Sequence, residues 1–467
     1  MSAITMPAML AIGVSIALPW LLGATAIHVF TRRLPFGALL ALGYGYLAGA
    51  FMVTLVLRVL SLAHVTWTLP VVALPVAALA LGAAWLQRGT DWRARWRDAH
   101  AAWNGLAPPL RVLFVVALVL IVVRALGLAL EVAWRPVQPW DAWSHWATKA
   151  RVWFEYGRMV PFVAPNEWLT RGELMAFTDQ QPGYPGTVPL LQVWTNLCLG
   201  SWHDAWMNAP WPALFASFGI AVYAQARRAE VPPAAAMIFA WLVLSLPFLD
   251  VHVALAGMAD IFLAAALGMV AMAMAQAVRT RAWVDIGLAV VMGVIAASIK
   301  VEGMIWLLAF LPGVIVAVRP RLGLRLVLIG VVVAIAYLAF GPPRLRLFGY
   351  TLRTQFTNVS LPLMQHMFVM DNWHLFWYAA IACIAWQWRR LLESTVAPMS
   401  VAMLGGAAFV AVVFFFSNAG GGVDDETLVN RLLLHFVPAL AFYLLLLVRP
   451  TLAAPVGAAK PAAAATT

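Results

Sequence analysis

The chain has 467 residues, 64% of them apolar and only 10% charged, with a formal net charge of +11. Repeated apolar stretches as long as a bilayer-crossing helix, roughly 20 residues each, exclude a soluble domain, and their lack of strict alternation excludes a membrane β-barrel. The basic residues fall in short loops beside those stretches, where they set orientation, so nucleic acid is not an expected partner.

Apolar windows bounded by charged or turn residues predict an all-α polytopic membrane protein of about thirteen spans. In chain order they are 7–30, 36–57, 65–86, 111–131, 206–226, 233–249, 258–277, 283–299, 303–318, 323–341, 373–388, 397–416 and 431–449. The first carries no basic segment ahead of it and no small-residue cleavage site after it, so it is expected to be retained. No lipidation motif is found. Cys198 and Cys383 lie far apart in apolar surroundings and read as packing residues.

Arg32-Arg33, the cluster Arg88, Arg93, Arg95 and Arg97, Arg227-Arg228, Arg279, Arg281, Arg319 to Arg325, Arg389-Arg390 and Arg449 all fall on one side of this map. That side is predicted to be cytoplasmic, with the N-terminus outside and the C-terminus inside. Of the 19 carboxylates, all but Asp91, Asp98, Glu230, Asp285 and Glu393 fall on the other side. Acidic residues carry little topological weight, so this clustering asks for a functional reason. Residues 186–200 are apolar but too short to span, and predict a helix lying on or dipping into the outer face. The Ala/Pro-rich tail from Ala453 to Thr467 predicts disorder.

The outer loop 131–186 concentrates polar and aromatic chemistry in Trp140-Asp141-Ala142-Trp143-Ser144-His145-Trp146-Ala147-Thr148-Lys149-Ala150-Arg151. Trp143, Trp146, Ala150, Trp153 and Phe154 are spaced as one face of an amphipathic helix expected at the interface. Asp141 precedes it as an N-cap, or acts as a general base toward an acceptor hydroxyl. Lys149 and Arg151 are interfacial anchors or cations for a lipid-linked phosphate. Gln181-Pro182-Gly183-Tyr184-Pro185-Gly186 is a turn cluster ending the loop.

Farther on, Asp250, His252 and Asp260 stand at the outer ends of two neighbouring spans, where ionisable groups are paired or functional. In Ser298-Ile299-Lys300-Val301-Glu302-Gly303, a Lys and a Glu two residues apart imply a wet or charge-paired vestibule, either a salt bridge or a ligand contact. The outer loop 342–372 adds Arg344, Arg346, Arg353, His366 and Asp371, and the last outer loop adds Asp424, Asp425, Glu426 and Arg431. The run 420–426 reads as a flexible acidic loop whose spacing matches no established calcium site. Phosphate-binding loops, His-Glu-x-x-His and Gly-x-Ser-x-Gly are missing from the sequence, which argues against ATP-driven transport and the common hydrolase chemistries.

The acid in the first large outer loop, Tyr184-Pro185 before a short helix, Ala259-Asp260 opening a span, Lys300-Val301-Glu302-Gly303 and the closing Arg431-Leu432-Leu433-Leu434-His435-Phe436-Val437-Pro438 together resemble bacterial GT-C glycosyltransferases. These polytopic enzymes include those similar to protein O-mannosyltransferases and the aminoarabinose transferase of lipid A. The resemblance covers roughly residues 111–449 and rests on the order of the motifs. It implies a GT-C-like catalytic core over 111–449, preceded by extra helices and a basic loop over 1–110 and followed by a cytoplasmic tail over 450–467. It also implies residence in the bacterial inner membrane and inverting transfer of a sugar from a polyprenyl-phosphate donor to a lipid, glycan or protein acceptor at the periplasmic face. Asp141 takes the position of the catalytic base. Lys149, Arg151, Tyr184, Asp260, Lys300, Glu302 and Arg431 are the candidates for holding substrate and lipid phosphate. Many members carry paired acids where Asp141 is flanked by Trp140 and Ala142, a departure that argues against metal dependence, and a divalent cation stays open as the one cofactor considered. A transporter or flippase of lipid-linked saccharides is the alternative, and a non-catalytic assembly subunit a third; a structure separates them by where the polar groups converge.

Overall fold

The computed structural model describes residues 5–88, 93, 97, 100–101, 103–171, 176–341, 344–347 and 350–453. Asp91, Arg95, Asp98 and the tail beyond residue 453 lie outside the described residues. Every predicted span falls on helix. Eight helices among the described residues are long and apolar enough to cross a membrane: α1 (Met6–Thr31), α2 (Gly37–Leu62), α4 (Pro108–Trp134), α11 (Asp260–Thr280), α13 (Val301–Val318), α14 (Pro320–Phe340), α17 (Ala397–Phe416) and α19 (Val429–Ala453). The chain is therefore an all-α, polytopic, membrane-embedded protein.

The remaining predicted spans are shorter or broken. Helices α3 (Leu69–Trp85) and α12 (Trp283–Ile299) have 17 residues each, and α16 (Phe376–Trp386) has 11. The window 206–226 resolves into a single turn, Trp206–Asn208, followed by α8 (Pro210–Arg228). The window 233–249 breaks into α9 (Pro233–Leu244) and α10 (Pro247–Ala254), bent by 62°. Pro247 explains the break: it lacks an N–H and forces Leu246 before it into an extended conformation (φ −65°, ψ 123°).

Burial ranks the helices from centre to rim. In α11, 94% of the most apolar 18-residue stretch is buried, against 11% in α4 and 6% in α14. Helix α11 packs against α8, α12 and α19, while α13 pairs with α17 and α1 with α2. The central helix is rich in small residues, with Ala264, Ala265, Ala266, Ala271, Ala273 and Ala275 all buried, which lets neighbouring helices approach closely.

The short helix predicted at the outer face, α7 (Thr187–Leu199), is instead enclosed by protein. It packs against α1, α2, α8, α12 and the loop helix α5 (Ala147–Tyr156). Its polar residues account for this. Gln192 Nε2 donates to Asn208 Oδ1 at 2.9 Å, Asn196 Oδ1 accepts from the His203 N–H at 2.9 Å, and the Trp194 indole donates to the Ser15 carbonyl at 2.9 Å. Groups needing such partners are satisfied inside the protein.

The long loop 131–186 is ordered by small elements: α5, α6 (Pro165–Arg171), and a parallel pair of two-residue strands, β1 (Phe162–Val163) and β2 (Phe177–Thr178). A second pair, β3 (Arg344–Leu347) and β4 (Tyr350–Arg353), forms an antiparallel hairpin with Arg344 opposite Arg353. Helix α15 (Ser360–Phe368) follows it. The acidic run 420–426 folds partly as a helical turn, α18 (Gly421–Asp424), and Asp425 accepts hydrogen bonds from the N–H and hydroxyl of Thr427.

Candidate functional site

Two helix starts, the joint before one of them and the long loop 131–186 supply the polar groups of one cavity of about 500 Å³, and a third helix start stands behind its wall. Asp260 is the first residue of α11, Lys300 is the single residue between α12 and α13, Glu302 lies in the first turn of α13, and Arg431 lies in the first turn of α19. The Lys300 joint is extended (φ −143°, ψ 153°), which ends one helix and starts the next without a loop. Gly303 makes that junction tight. A Cβ there would lie 2.2 Å from the Ala296 carbonyl oxygen, so only glycine allows the two helices to meet this closely.

Asp260 is the buried hub, its side chain 1% exposed. It receives Lys300 Nζ at 3.0 Å, Arg431 Nη2 at 3.1 Å and His435 Nε2 at 3.1 Å. Each cation then reaches a second carboxylate nearer the cavity. Lys300 lies 3.2 Å from Glu302, and Arg431 Nη1 lies 2.7 Å from Asp141, whose side chain is 38% exposed. The Tyr184 hydroxyl donates to Glu302 at 3.0 Å, and its ring stacks on Trp146 with centroids 5.5 Å apart.

A second cluster borders the same cavity. His145 Nδ1 lies 2.5 Å from Asp179 Oδ1, and Lys149 Nζ lies 2.8 Å from Asp179 Oδ2 and donates to the Gln181 carbonyl at 2.9 Å. The strand pair positions this acid: Asp179 directly follows β2, and its N–H donates to the Val163 carbonyl at 3.0 Å. Burial alone would raise the Asp179 carboxyl, but hydrogen bonds from His145, Lys149 and the Gln181 N–H hold it below the usual carboxylate range. Burial pushes the His145 imidazole below its ordinary value, and the Asp179 hydrogen bond only partly offsets this. Burial likewise lowers the Lys149 ammonium, again offset in part by Asp179. A carboxylate only accepts, so the neutral His145 carries its proton on Nδ1 and presents a lone pair at Nε2.

Of the residues singled out by sequence, Asp141, Tyr184, Lys300, Glu302 and Arg431 line the cavity. Asp260 and Lys149 lie behind its wall, each holding a lining residue by an ion pair. Arg151 is not part of it: the guanidinium pairs with Glu155 one helical turn on, at 2.7 Å, and sits over the Trp202 ring at 5.0 Å. Arg151 lies on the exposed face of α5, whereas Lys149, two residues earlier, faces inward.

Asp141 is not an N-cap either. Its backbone is already helical (φ −62°, ψ −30°), no side-chain cap bond forms, and Arg431 takes the carboxylate. The segment after it opens with a π-helical turn, Ala142–Trp146, before α5 begins. Its tryptophans divide: Trp140 and Trp143 are exposed and pack edge to face, while Trp146 and Trp153 are buried. The turn before α11 sets where Asp141 stands. Gly257 has φ +110°, and a Cβ there would lie 2.7 Å from that of Ala142.

His145, Asp179 and His435 were not singled out as site residues in the sequence. His435 had a signal, since it follows Arg431 by four residues and so shares its helix face. Asp250, in the first turn of α10, ion-pairs with Arg124 at 2.8 Å, away from the cavity. The residues present do not fit a resident divalent cation. The cavity carboxylates are each engaged by a lysine or arginine, and among the described residues no three His, Cys, Asp or Glu side chains converge as ligands.

No family model matches this chain, and comparison with curated proteins and with solved structures likewise gives no match.

Proposed function

We propose that the chain is a GT-C-like glycosyltransferase of the bacterial inner membrane, with about thirteen membrane-crossing or membrane-embedded helical segments and its N-terminus periplasmic. It moves a sugar from a polyprenyl-phosphate donor to a lipid, glycan or protein acceptor at the periplasmic face, with inversion. The observation that carries this reading is one partly exposed carboxylate, Asp141, in a cavity whose other wall holds Lys300 and Arg431, both anchored from behind by Asp260.

Those parts match the charge that such a reaction develops. The acceptor hydroxyl gives its proton to Asp141, and its oxygen forms a bond to the anomeric carbon. The bond from that carbon to the phosphate oxygen breaks, and the polyprenyl phosphate leaves with the electron pair. Lys300 and Arg431 neutralise the departing phosphate, so no separate proton donor is needed. Donor binding also frees the base, because a phosphate taking Arg431 draws the guanidinium away from Asp141. The partly exposed Tyr184 ring, backed by the buried Trp146 ring on which it stacks, offers an apolar platform for a sugar face. Saccharide transport would need a passage open at both ends of the bundle. Below this cavity stand the buried Asp260, His435 and Trp306.

The test is transfer of a radiolabelled sugar from a synthetic polyprenyl-phosphate donor by the purified chain in lipid. Asp141→Asn should lower turnover by at least 100-fold, within the range typical of a lost general base, about 10²–10⁴. A folded Asp141→Asn protein as active as the parent would remove Asp141 from this role, and no transfer to any of the three acceptor classes by the parent would sink the reading.

A further inference from the structure

At the end of the bundle opposite Asp141 lies a second cavity of about 510 Å³, into which four arginines converge: Arg228, Arg279, Arg390 and Arg449. Its position follows from two shared helices. Asp260 and Arg279 lie at the two ends of α11, and Arg431 and Arg449 near the two ends of α19. At 1.5 Å per residue each pair is separated by roughly 27–29 Å, about the hydrocarbon thickness of a bilayer.

The four arginines are not equally engaged. Arg228 makes a paired contact with the buried Asp285, at 2.5 and 2.9 Å, and Arg390 is held by both oxygens of Glu393 at 3.0 and 3.1 Å. Arg279 and Arg449 reach a carboxylate only at long range, 3.6 and 3.8 Å, and it is the same one, Glu230. The Glu230 side chain is 72% exposed. Its backbone is left-handed (φ 65°) just past the end of α8, the position where helices ordinarily place glycine. That conformation closes the end of α8, with the Glu230 N–H on the Arg227 carbonyl, and it places an exposed carboxylate between two guanidinium groups that meet it only at long range; Arg279 otherwise donates to the Arg228 carbonyl and Gln276 Oε1 at 3.3 and 3.2 Å.

We propose that this cavity binds a phosphate-bearing ligand, gripped by Arg279 and Arg449, with Glu230 as the built-in counter-ion that the ligand displaces. Planar guanidinium groups match phosphate oxygens in paired hydrogen bonds, and basic pockets between helices at a membrane surface suit phosphate headgroups as well as soluble phosphates. The proposal is independent of the Asp141 reading.

The test uses the full chain in phosphatidylcholine nanodiscs, with inorganic pyrophosphate as one probe and admixed phosphatidylglycerol as the other. Pyrophosphate binding is measured by equilibrium dialysis, and lipid retention by native mass spectrometry. One probe should bind saturably. Arg279→Gln and Arg449→Gln should each weaken it about tenfold, and Glu230→Gln should tighten it by a similar factor, while Arg151→Ala leaves it unchanged. Pyrophosphate binding assigns a soluble ligand, and phosphatidylglycerol retention without it assigns a lipid headgroup. Should an arginine variant fail to fold, Glu230→Gln on the surface still decides. Binding of neither probe, or binding that Glu230→Gln leaves unchanged or weakens, overturns the proposal.

Discussion

Asp141 and Asp260 share one guanidinium: Arg431 gives Nη1 to the first at 2.7 Å and Nη2 to the second at 3.1 Å. One acid faces the cavity and the other is sealed beneath it, so Arg431 ties the cavity surface to the buried hub.

Arg431→Met should therefore act twice. Removing one partner from a buried ion pair costs about 3–5 kcal/mol because the remaining charge is left uncompensated. The thermal midpoint of the purified protein should fall, and transfer should be lost. Arg431→Lys should keep more stability than activity, since an ammonium cannot make the forked contact to two carboxylates.

Asp260→Asn leaves Lys300 and Arg431 facing an amide, and Lys300→Met leaves Asp260 short of a cation. The double variant removes one charge of each sign. It should be more stable than the sum of the two single effects predicts, with a coupling of about 0.5–3 kcal/mol from a double-mutant cycle in thermal or denaturant unfolding. Strict additivity would show that the two groups do not interact across the hub.

Acidification should loosen the loop 131–186 through His145. Its folded-state affinity for protons lies below the ordinary imidazole value, so the unfolded chain binds more protons as pH falls below about 6.5. Stability from this group is present above pH 6.5 and lost as pH drops toward the folded value. Asp179 is shifted downward too, so its contribution persists through this window and is lost only in stronger acid, below about pH 3.8. Melting curves from pH 7 to 5 should show a smaller decline for His145→Gln than for the parent. Equal slopes would mean that His145 is not a buried neutral imidazole.

Gly257→Ala puts a Cβ into a backbone conformation that L-residues rarely adopt, and into the space of Ala142. The strain should cost about 1–3 kcal/mol. Turnover should drop as well, although the substituted residue does not line the cavity, because the displaced neighbour is next to Asp141. Retention of full activity would show that this turn does not set the position of the acid.

Arg151→Ala is the control. Its partner Glu155 is exposed, and such pairs contribute about 0–1 kcal/mol. Melting temperature and transfer rate should stay close to those of the parent. A large loss of transfer would put the guanidinium back among the phosphate-binding groups.

How much of this was readable in the sequence follows from the kind of signal each residue leaves. Asp260, Lys300, Glu302 and Arg431 stand out because a charge amid apolar residues must find a partner or a use. The His145–Asp179 pair left no such trace. Its members are 34 residues apart, and only a two-residue strand pair, too short to show periodicity, joins them. Arg151 and Lys149 look alike in composition, and the direction each faces on α5 separates them. Helix α7 was misplaced because apolarity does not distinguish a membrane surface from a protein interior. Gln192, Thr195 and Asn196 within it carried the better clue, being groups that need partners. The thirteen apolar windows each became helix, but length alone could not foresee where proline would break and bend one, by 62°.

Helix α11 has no proline along its length and is wrapped by protein on nearly every side. It behaves as an axle with a carboxylate at one tip and a guanidinium near the other. Asp260 and Arg279 ride on one unbroken helix, so a rigid shift of α11 that moves either residue moves both.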